Sequence, residues 1–322
     1  MNILTILIFS GDRLSIKNLI NVIVKLKKKN IDIKIVDWSK NKKILNKKKN
    51  IYFHYNKIIK NFNVQYQIGN FEFKYKRFIN KFNSRYILMI GDDDRIHINN
   101  FKKIFKYLNS NFSGITISFK IYKNKENFKE EEEDNFSSHS IKSFNIDNDL
   151  NKIGFISCQI VKTDLINKIF EDEKKNLLTT QFPHNFIILK IIKKFNNWKV
   201  TNLKCIYRHT GNIDLFVKRP KTILTRLKSE YEGYFIPLIL NYSYFSKEKF
   251  DKIYKRIFFN NIISWLFLSL KYCGKKKTFQ TIKKCRKIIK EPILIKITLI
   301  FFYICPIFIL NFIKILRRNF IK

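Results

Sequence analysis

The first 37 residues of the chain read as strand, helix and strand, at spacings that leave little choice of fold. Residues 3–9 are an apolar run closed by the polar turn Ser10-Gly11-Asp12-Arg13. Leu14, Ile16, Leu19, Ile20, Ile23 and Leu26 then recur at helical spacing, and Lys25 and residues 27–29 place cations at the C-terminal end, where they suit the helix dipole. Ile31, Ile33, Ile35 and Val36 form a second short strand that ends at Asp37. A unit of this kind is βαβ, and its strands lie parallel in one sheet. The opening run is too short for the apolar region of a leader and lacks a basic start or a small-residue cleavage site, so it is expected to be a buried strand.

Residues 86–90, Tyr-Ile-Leu-Met-Ile, are a continuous apolar run of the kind a fully buried parallel strand shows. The run stops at Gly91-Asp92-Asp93-Asp94. Around it the pattern predicts a strand over 51–55, helices over 70–83 and 99–108, and a strand over 114–119. An irregular polar stretch follows over 123–149, in which the acidic run 130–134 is expected to be a solvated loop. A strand over 153–161, helices over 164–170 and 185–195, and a strand over 199–207 complete the pattern.

Composition limits the classes open to the chain. It has 322 residues, 45% of them apolar and 16% aromatic, which is enough for one large or two ordinary domains and excludes general disorder. Five cysteines without a Cys-x-x-Cys pair fit reduced thiols better than a zinc or disulfide framework. The net charge of +39 invites a nucleic-acid reading. Only 11 of the 64 basic residues are Arg, however, and the chain contains no Ala while Lys, Asn, Ile and Phe abound. That bias is what an AT-rich codon composition imposes on any protein, so the expectation is no nucleic-acid partner and, for the remainder of the charge, an anionic membrane surface.

After residue 211 the texture becomes helical, apolar and basic. Residues 258–270 and 293–316 are the most hydrophobic stretches, and the second contains Lys296, Asn311, Lys314 and Pro306. Its uninterrupted apolar core, 297–310, has 14 residues, short of the ~17–25 of a spanning helix. Basic groups flank it: Lys283, Lys284, Arg286 and Lys287 before, Arg317 and Arg318 after. The expectation is an interfacial or re-entrant helix at an anionic inner leaflet, with a true span or a plain core helix as alternatives. Residues 1–210 and 211–322 are thus expected as two domains, at the cytoplasmic face of a membrane.

Three adjacent carboxylates repel one another unless solvated or neutralised by a cation. A hard divalent ion, Mg²⁺ or Mn²⁺, held by one or two carboxylates while it coordinates phosphate oxygens, supplies that neutralisation. The alternative is a solvated turn whose aspartate caps the next helix. The C-terminal edge of an open α/β sheet is also where ligands bind. Ser10-Gly11-Asp12-Arg13, Asp37-Trp38-Ser39 and Asp92-Asp93-Asp94 all fall at that edge.

This constellation resembles the family-2 glycosyltransferases of the GT-A fold, most closely their abequosyltransferase-like members. Residues 3–210 carry the resemblance, strongest in the first 100. It implies an α/β, Rossmann-like mixed sheet flanked by helices, with the helical C-terminal region appended. It implies an inverting transfer of a hexosyl-type sugar from a nucleotide-sugar donor to a glycan or lipid-linked acceptor in bacterial surface polysaccharide synthesis. Asp92 and Asp94 would hold the metal, with His209 as a third ligand or a phosphate contact. Ser10, Asp12, Arg13, Asp37, Asp93 and Arg95 would line the donor site, Asp37 reading base or ribose, Arg13 or Arg95 offsetting phosphate charge and Asp93 facing sugar hydroxyls. Ser157, in Gly154-Phe155-Ile156-Ser157, is a candidate for sugar contact. The chain departs from the family where a Glu-Asp pair usually supplies the base. Either His184 takes that role, with a side chain that ordinarily titrates near neutrality, or Asp172 or Glu173 does. A nucleotidyltransferase and a non-enzymatic basic membrane-surface or nucleic-acid-binding protein remain as rivals.

Overall fold

The computed structural model describes residues 2–26, 30–59, 62–66, 82–122, 141–173, 183–209, 220–241, 243, 245–286 and 292–305. The chain divides into two compact units, Met1–Lys174 with Lys190–Gly211, and Lys175–Leu189 with Asn212–Lys322. The helix that holds His184 therefore contributes to both.

The first unit is built on a mixed sheet. Its strands are β1 (Leu4–Ser10), β2 (Ile31–Asp37), β3 (Phe62–Tyr66), β4 (Tyr86–Gly91), β5 (Arg95–Ile96), β6 (Gly114–Tyr122), β7 (Ile141–Ser143), β8 (Gln159–Lys162) and β9 (Trp198–His209), in the order β3-β2-β1-β4-β8-β6-β9-β5 with β7 also on β9. The strands β3, β2, β1 and β4 run parallel, and β8 enters antiparallel to both β4 and β6. Every residue of β1 is buried, as the apolar run predicts for a central strand covered on both faces. Helix α1 (Ile16–Lys25) buries Ile16, Leu19, Ile20 and Ile23, each worth about 1.5–3 kcal/mol when removed from water. Leu14, placed by its spacing on that face, is instead exposed ahead of the helix.

Two expected strands are corrected. Residues 51–55 lie inside helix α2 (Lys42–Ile58), which Asn41 caps by accepting hydrogen bonds from the N–H groups of Lys43 (3.0 Å) and Ile44 (3.3 Å). Its buried residues Lys48, Tyr52 and Tyr55 follow i, i+4, i+7, while Phe53 points to solvent. The helical period overrides the β-propensity of a short aromatic run. Residues 153–161 form a strand only from Gln159. Before it come the 3₁₀ turns Leu150–Lys152 and Ile156–Cys158, held when the Gln159 amide donates to the carbonyls of Lys152 (2.7 Å) and Phe155 (3.1 Å). The polar stretch beyond 140 also contains β7 and a single helical turn, Ile146–Asp149. Most of the helix expected over 70–83 and the acidic run 130–134 lie outside the described residues.

Helices α3 (Ile98–Leu108), α4 (Thr163–Asp172) and α5 (Pro183–Phe195) follow the expected pattern closely. In the second unit, α6 (Pro220–Leu240), α7 (Lys247–Ile257), α8 (Ile263–Arg286) and α9 (Ile293–Ile304) confirm the helical texture after residue 211. A π-helical turn, Phe258–Ile262, joins α7 to α8. Phe235 of α6 stacks flat on Tyr254 of α7 at 3.8 Å. Lys275 donates to the carbonyls of Tyr303 (2.8 Å) and Ile304 (3.3 Å), which satisfies the C-terminal end of α9. No described helix is long and apolar enough to cross a membrane. Residues 306–322, including Arg317 and Arg318, lie outside the described residues.

Candidate functional site

Parallel register brings the three polar turns together. Ser10 lies opposite Asp37, and Phe9 opposite Gly91, so β1, β2 and β4 end in line. The backbone continues the ladder past the strands: Asp92 N–H donates to Phe9 O and Trp38 N–H to Ser10 O, both at 3.0 Å. At Gly91 a Cβ would fall 3.0 Å from an oxygen of Asp93 and 3.4 Å from one of Asp94, so a bare backbone lets the acidic turn fold tightly.

Asp92 is fully buried. Its Oδ2 accepts from Ser10 Oγ (2.9 Å) and Gly11 N–H (3.1 Å), whereas Oδ1 accepts no hydrogen bond and lies 2.7 Å from the Arg13 guanidinium. Arg13 also pairs with Asp93. Burial pushes the Asp92 carboxyl above the usual carboxylate range, and Arg13 and Ser10 pull against it. Asp94 is buried and accepts from Ser157 Oγ at 2.6 Å, while Gly91 N–H donates to that hydroxyl at 3.3 Å. Ser157 thus ties the 3₁₀ turn before β8 to the acidic cluster. Arg95 is buried, and its guanidinium donates to the Asp94 carbonyl at 3.0 Å.

The second strand's aspartate is engaged from within the chain. Asp37 Oδ2 accepts from the Tyr52 hydroxyl at 2.6 Å and Oδ1 from Ser39 N–H at 2.9 Å, and Lys48 Nζ lies 3.3 Å from Oδ2. Asp12 accepts at 2.8 Å from the N–H groups of both Lys40 and Asn41, and so fixes the entry to α2. Lys48 is fully buried and also donates to Ser10 Oγ (2.5 Å), Ser39 Oγ (2.9 Å) and the Gly11 carbonyl. Burial lowers its affinity for a proton, with Asp37 and then Asp92 opposing that shift. The Tyr52 hydroxyl is pushed well above its ordinary range by burial and by its bond to Asp37. Sequence reasoning missed Lys48 and Tyr52, and the signal that finds them is their helical spacing with Tyr55.

The remaining expected residues belong to other elements. Glu173 pairs with Lys190 at 2.8 Å and Asp172 with Lys194 at 3.7 Å, at the C-terminal end of α4. His184 is buried in the first turn of α5, in the second unit. His209 ends β9 opposite Tyr122, and its side chain lies outside the described residues.

The donor set suits a hard cation. Asp92 presents a buried oxygen free of hydrogen bonds, and its neighbour Arg13 is long and partly exposed. Among the described residues no three His, Cys, Asp or Glu side chains converge into a full cage. Mg²⁺ and Mn²⁺ need none when one or two carboxylates and substrate phosphates complete the shell.

Neither a protein-family model nor a curated protein sequence matches the chain. Solved structures do. It is similar to residues 1–349 of S. aureus TarS, with TM-score 0.54 and 14% identity over 90% of this chain and 83% of that one. The same protein in complex with UDP-GlcNAc gives TM-score 0.56 and 13% identity over 90% and 82%. Mannosyltransferase PcManGT from Pyrobaculum calidifontis, in complex with GDP-Man and Mn²⁺, gives 0.52 and 8% over 94% and 81%. The fold is GT-A. In that fold the ends of β1, β2 and β4 form one edge of the mixed sheet, and Ser10, Asp37 and Asp92 to Asp94 stand on it.

Proposed function

We propose that this chain is a metal-dependent, inverting glycosyltransferase that moves a hexosyl-type sugar from a nucleotide-sugar donor to a glycan or lipid-linked acceptor in bacterial surface polysaccharide synthesis. The observation that carries the reading is the row of Ser10, Asp37 and Asp92 at the ends of adjacent parallel strands, with one buried Asp92 oxygen that has no hydrogen bond and is paired with the Arg13 guanidinium. The neighbours support it, since one is a mannosyltransferase with GDP-Man and Mn²⁺ and another is in complex with UDP-GlcNAc. Asp92 and Asp94 hold Mg²⁺ or Mn²⁺, with His209 as the third candidate, and the bound ion supplies Lewis-acid stabilisation of the departing diphosphate. Arg13 turns from Asp93 to the donor phosphates, and Asp12 and Ser10 shape the turn beneath them.

In the transfer the acceptor oxygen bonds to the anomeric carbon as the bond to the diphosphate breaks, and the hydroxyl proton passes to a base. The candidates for that base are His184, Asp172 and Glu173, the last two paired with Lys194 and Lys190. A donor panel tests the function: with Mn²⁺, one class of nucleotide sugar raises the melting temperature and is slowly hydrolysed. No response to any donor, with or without metal, contradicts the reading.

The same reading places the protein peripherally at an anionic membrane. Ile295, Leu299 and Phe302 of α9 are buried, while Ile293, Ile297, Ile300 and Ile304 form the opposite stripe, each more than half exposed. Apart from the exposed Lys296, the helix is apolar on both faces, and the second apolar face needs a cover of its own. Residues 252–322 hold 17 Lys and Arg against one acidic residue, Glu291, so an anionic lipid surface matches both the stripe and its surroundings.

A further inference from the structure

We propose that Lys48 is a positioning residue that acts through Ser10 to fix which oxygen of Asp92 faces the cation, an inference that rests on the metal-dependent reading above. An ammonium can only donate hydrogen bonds, and a serine hydroxyl has a single proton. Lys48 Nζ lies 2.5 Å from Ser10 Oγ, so the hydroxyl accepts there and must place its own proton elsewhere. The charged acceptor in reach is Asp92 Oδ2 at 2.9 Å, the same oxygen that receives Gly11 N–H at 3.1 Å, and the neutral Tyr52 hydroxyl, whose own proton goes to Asp37, is its competitor beside Ser10. Two donors on one oxygen lock the rotation of the carboxylate. The other oxygen, Oδ1, is left buried, without a hydrogen bond and turned toward the partly exposed Arg13.

The position of Lys48 supports a role beyond packing. Lys47 and Lys49, its neighbours on α2, are exposed, as helix lysines ordinarily are, whereas Lys48 is wholly buried. An apolar side chain of similar length fills such a space but leaves the buried Asp37 carboxylate without its counter-charge. It leaves the Ser10 hydroxyl free to rotate, and the Gly11 carbonyl and Ser39 Oγ become alternative acceptors for its proton. The ammonium removes these two by donating to both groups itself, which leaves the Asp92 carboxylate to compete only with the neutral Tyr52 hydroxyl. The direction of the Ser10 proton, and with it the presentation of Asp92, therefore depends on Lys48.

The test is Mn²⁺ binding by the full chain, followed by loss of the free-ion paramagnetic resonance signal, for wild type, Lys48→Met, Ser10→Ala and the double variant. Groups that orient a metal ligand typically account for about 10–100-fold in affinity. Each single variant is expected to weaken Mn²⁺ binding by about tenfold, and the double variant no further than the weaker single one, because both break one relay. Wild-type affinity in Lys48→Met, even with a lowered melting temperature, overturns the proposal and leaves Lys48 as a structural tie. Losses that multiply in the double variant overturn the route through Ser10. If Lys48→Met does not fold, Ser10→Ala decides alone, since it interrupts the relay with the ammonium in place. A wild-type chain that binds no Mn²⁺ overturns the metal reading and this inference together, whereas binding that no variant disturbs overturns only the inference.

Discussion

Asp37 illustrates what a residue's neighbours decide. From the sequence it ends β2 and stands where a carboxylate can read a base or ribose, and the strand register does set it opposite Ser10. Its oxygens, however, accept from Tyr52 and Ser39 and face the buried ammonium of Lys48. Removing one member of a buried ion pair costs about 3–5 kcal/mol, because the other charge remains. Asp37→Asn is therefore expected to lower the urea-unfolding free energy by about that amount, and a loss confined to donor KM with stability unchanged contradicts this assignment. The placing of Ser10, Asp37 and Asp92 was legible because parallel strands of known length bring their ends into line. Lys48 was not, since one lysine in a lysine-rich helix carries no mark of burial until the fold supplies Ser10, Gly11 and Asp37 around it.

At the scale of elements, period proved a better guide than propensity. The strands β1, β2 and β4 and the helices α1, α3 and α5 were legible because each buries a continuous run or a regular face. The helix α2 was misread where the aromatic run 51–55 obscured the i, i+4, i+7 face of Lys48, Tyr52 and Tyr55. The stretch 153–158 was misread because Ser157 and Gln159 give their side chains to turn geometry and to Asp94. Where β6 meets β9, a Cβ on Gly114 would lie 2.3 Å from the Trp198 ring. Gly114→Ala is expected to destabilise by about 1–3 kcal/mol, seen as a lower denaturant midpoint by circular dichroism.

A second element-scale prediction concerns pH. Burial alone would raise the Asp149 carboxyl, but Lys152 at 2.8 Å, the Asn145 N–H at 3.0 Å and Lys142 at 3.7 Å hold it below the usual range. A carboxylate held low in the folded state contributes stability above its unfolded pKa and loses it as pH falls through the folded one. Asp149→Asn is expected to be less stable than wild type at neutral pH, and urea midpoints should converge below about pH 4. A gap that stays constant with pH contradicts the ion-pair account.

Over the whole molecule, the +39 charge resolves into two parts. Much of it is a lysine load spread along an alanine-free chain, and the part with a proposed use flanks the isoleucine stripe of α9 in the sequence. Replacing Ile297 and Ile300 with Asp is expected to reduce flotation with anionic vesicles by more than tenfold, since each buried isoleucine is worth about 1.5–3 kcal/mol. Donor hydrolysis should be unaffected, and unchanged flotation contradicts the membrane assignment. Residues 175–189, with His184, belong to the second compact unit. Among His184→Gln, Asp172→Asn and Glu173→Gln, the variant that removes the base is expected to lower kcat by about 10²–10⁴-fold with little change in donor binding, and the other two are not.

On the proposed function, Asp92 and Asp94 form a cation-dependent centre for a nucleotide sugar. Its most direct measurement is the rate of sugar release from the best donor of the panel, with Mn²⁺ and with chelator, in wild type and in the Asp92→Asn, Asp94→Asn double variant. The account predicts turnover only for wild type with metal, and a double variant that keeps its circular dichroism spectrum while losing activity. Full turnover in that variant, or in wild type with chelator, would contradict it.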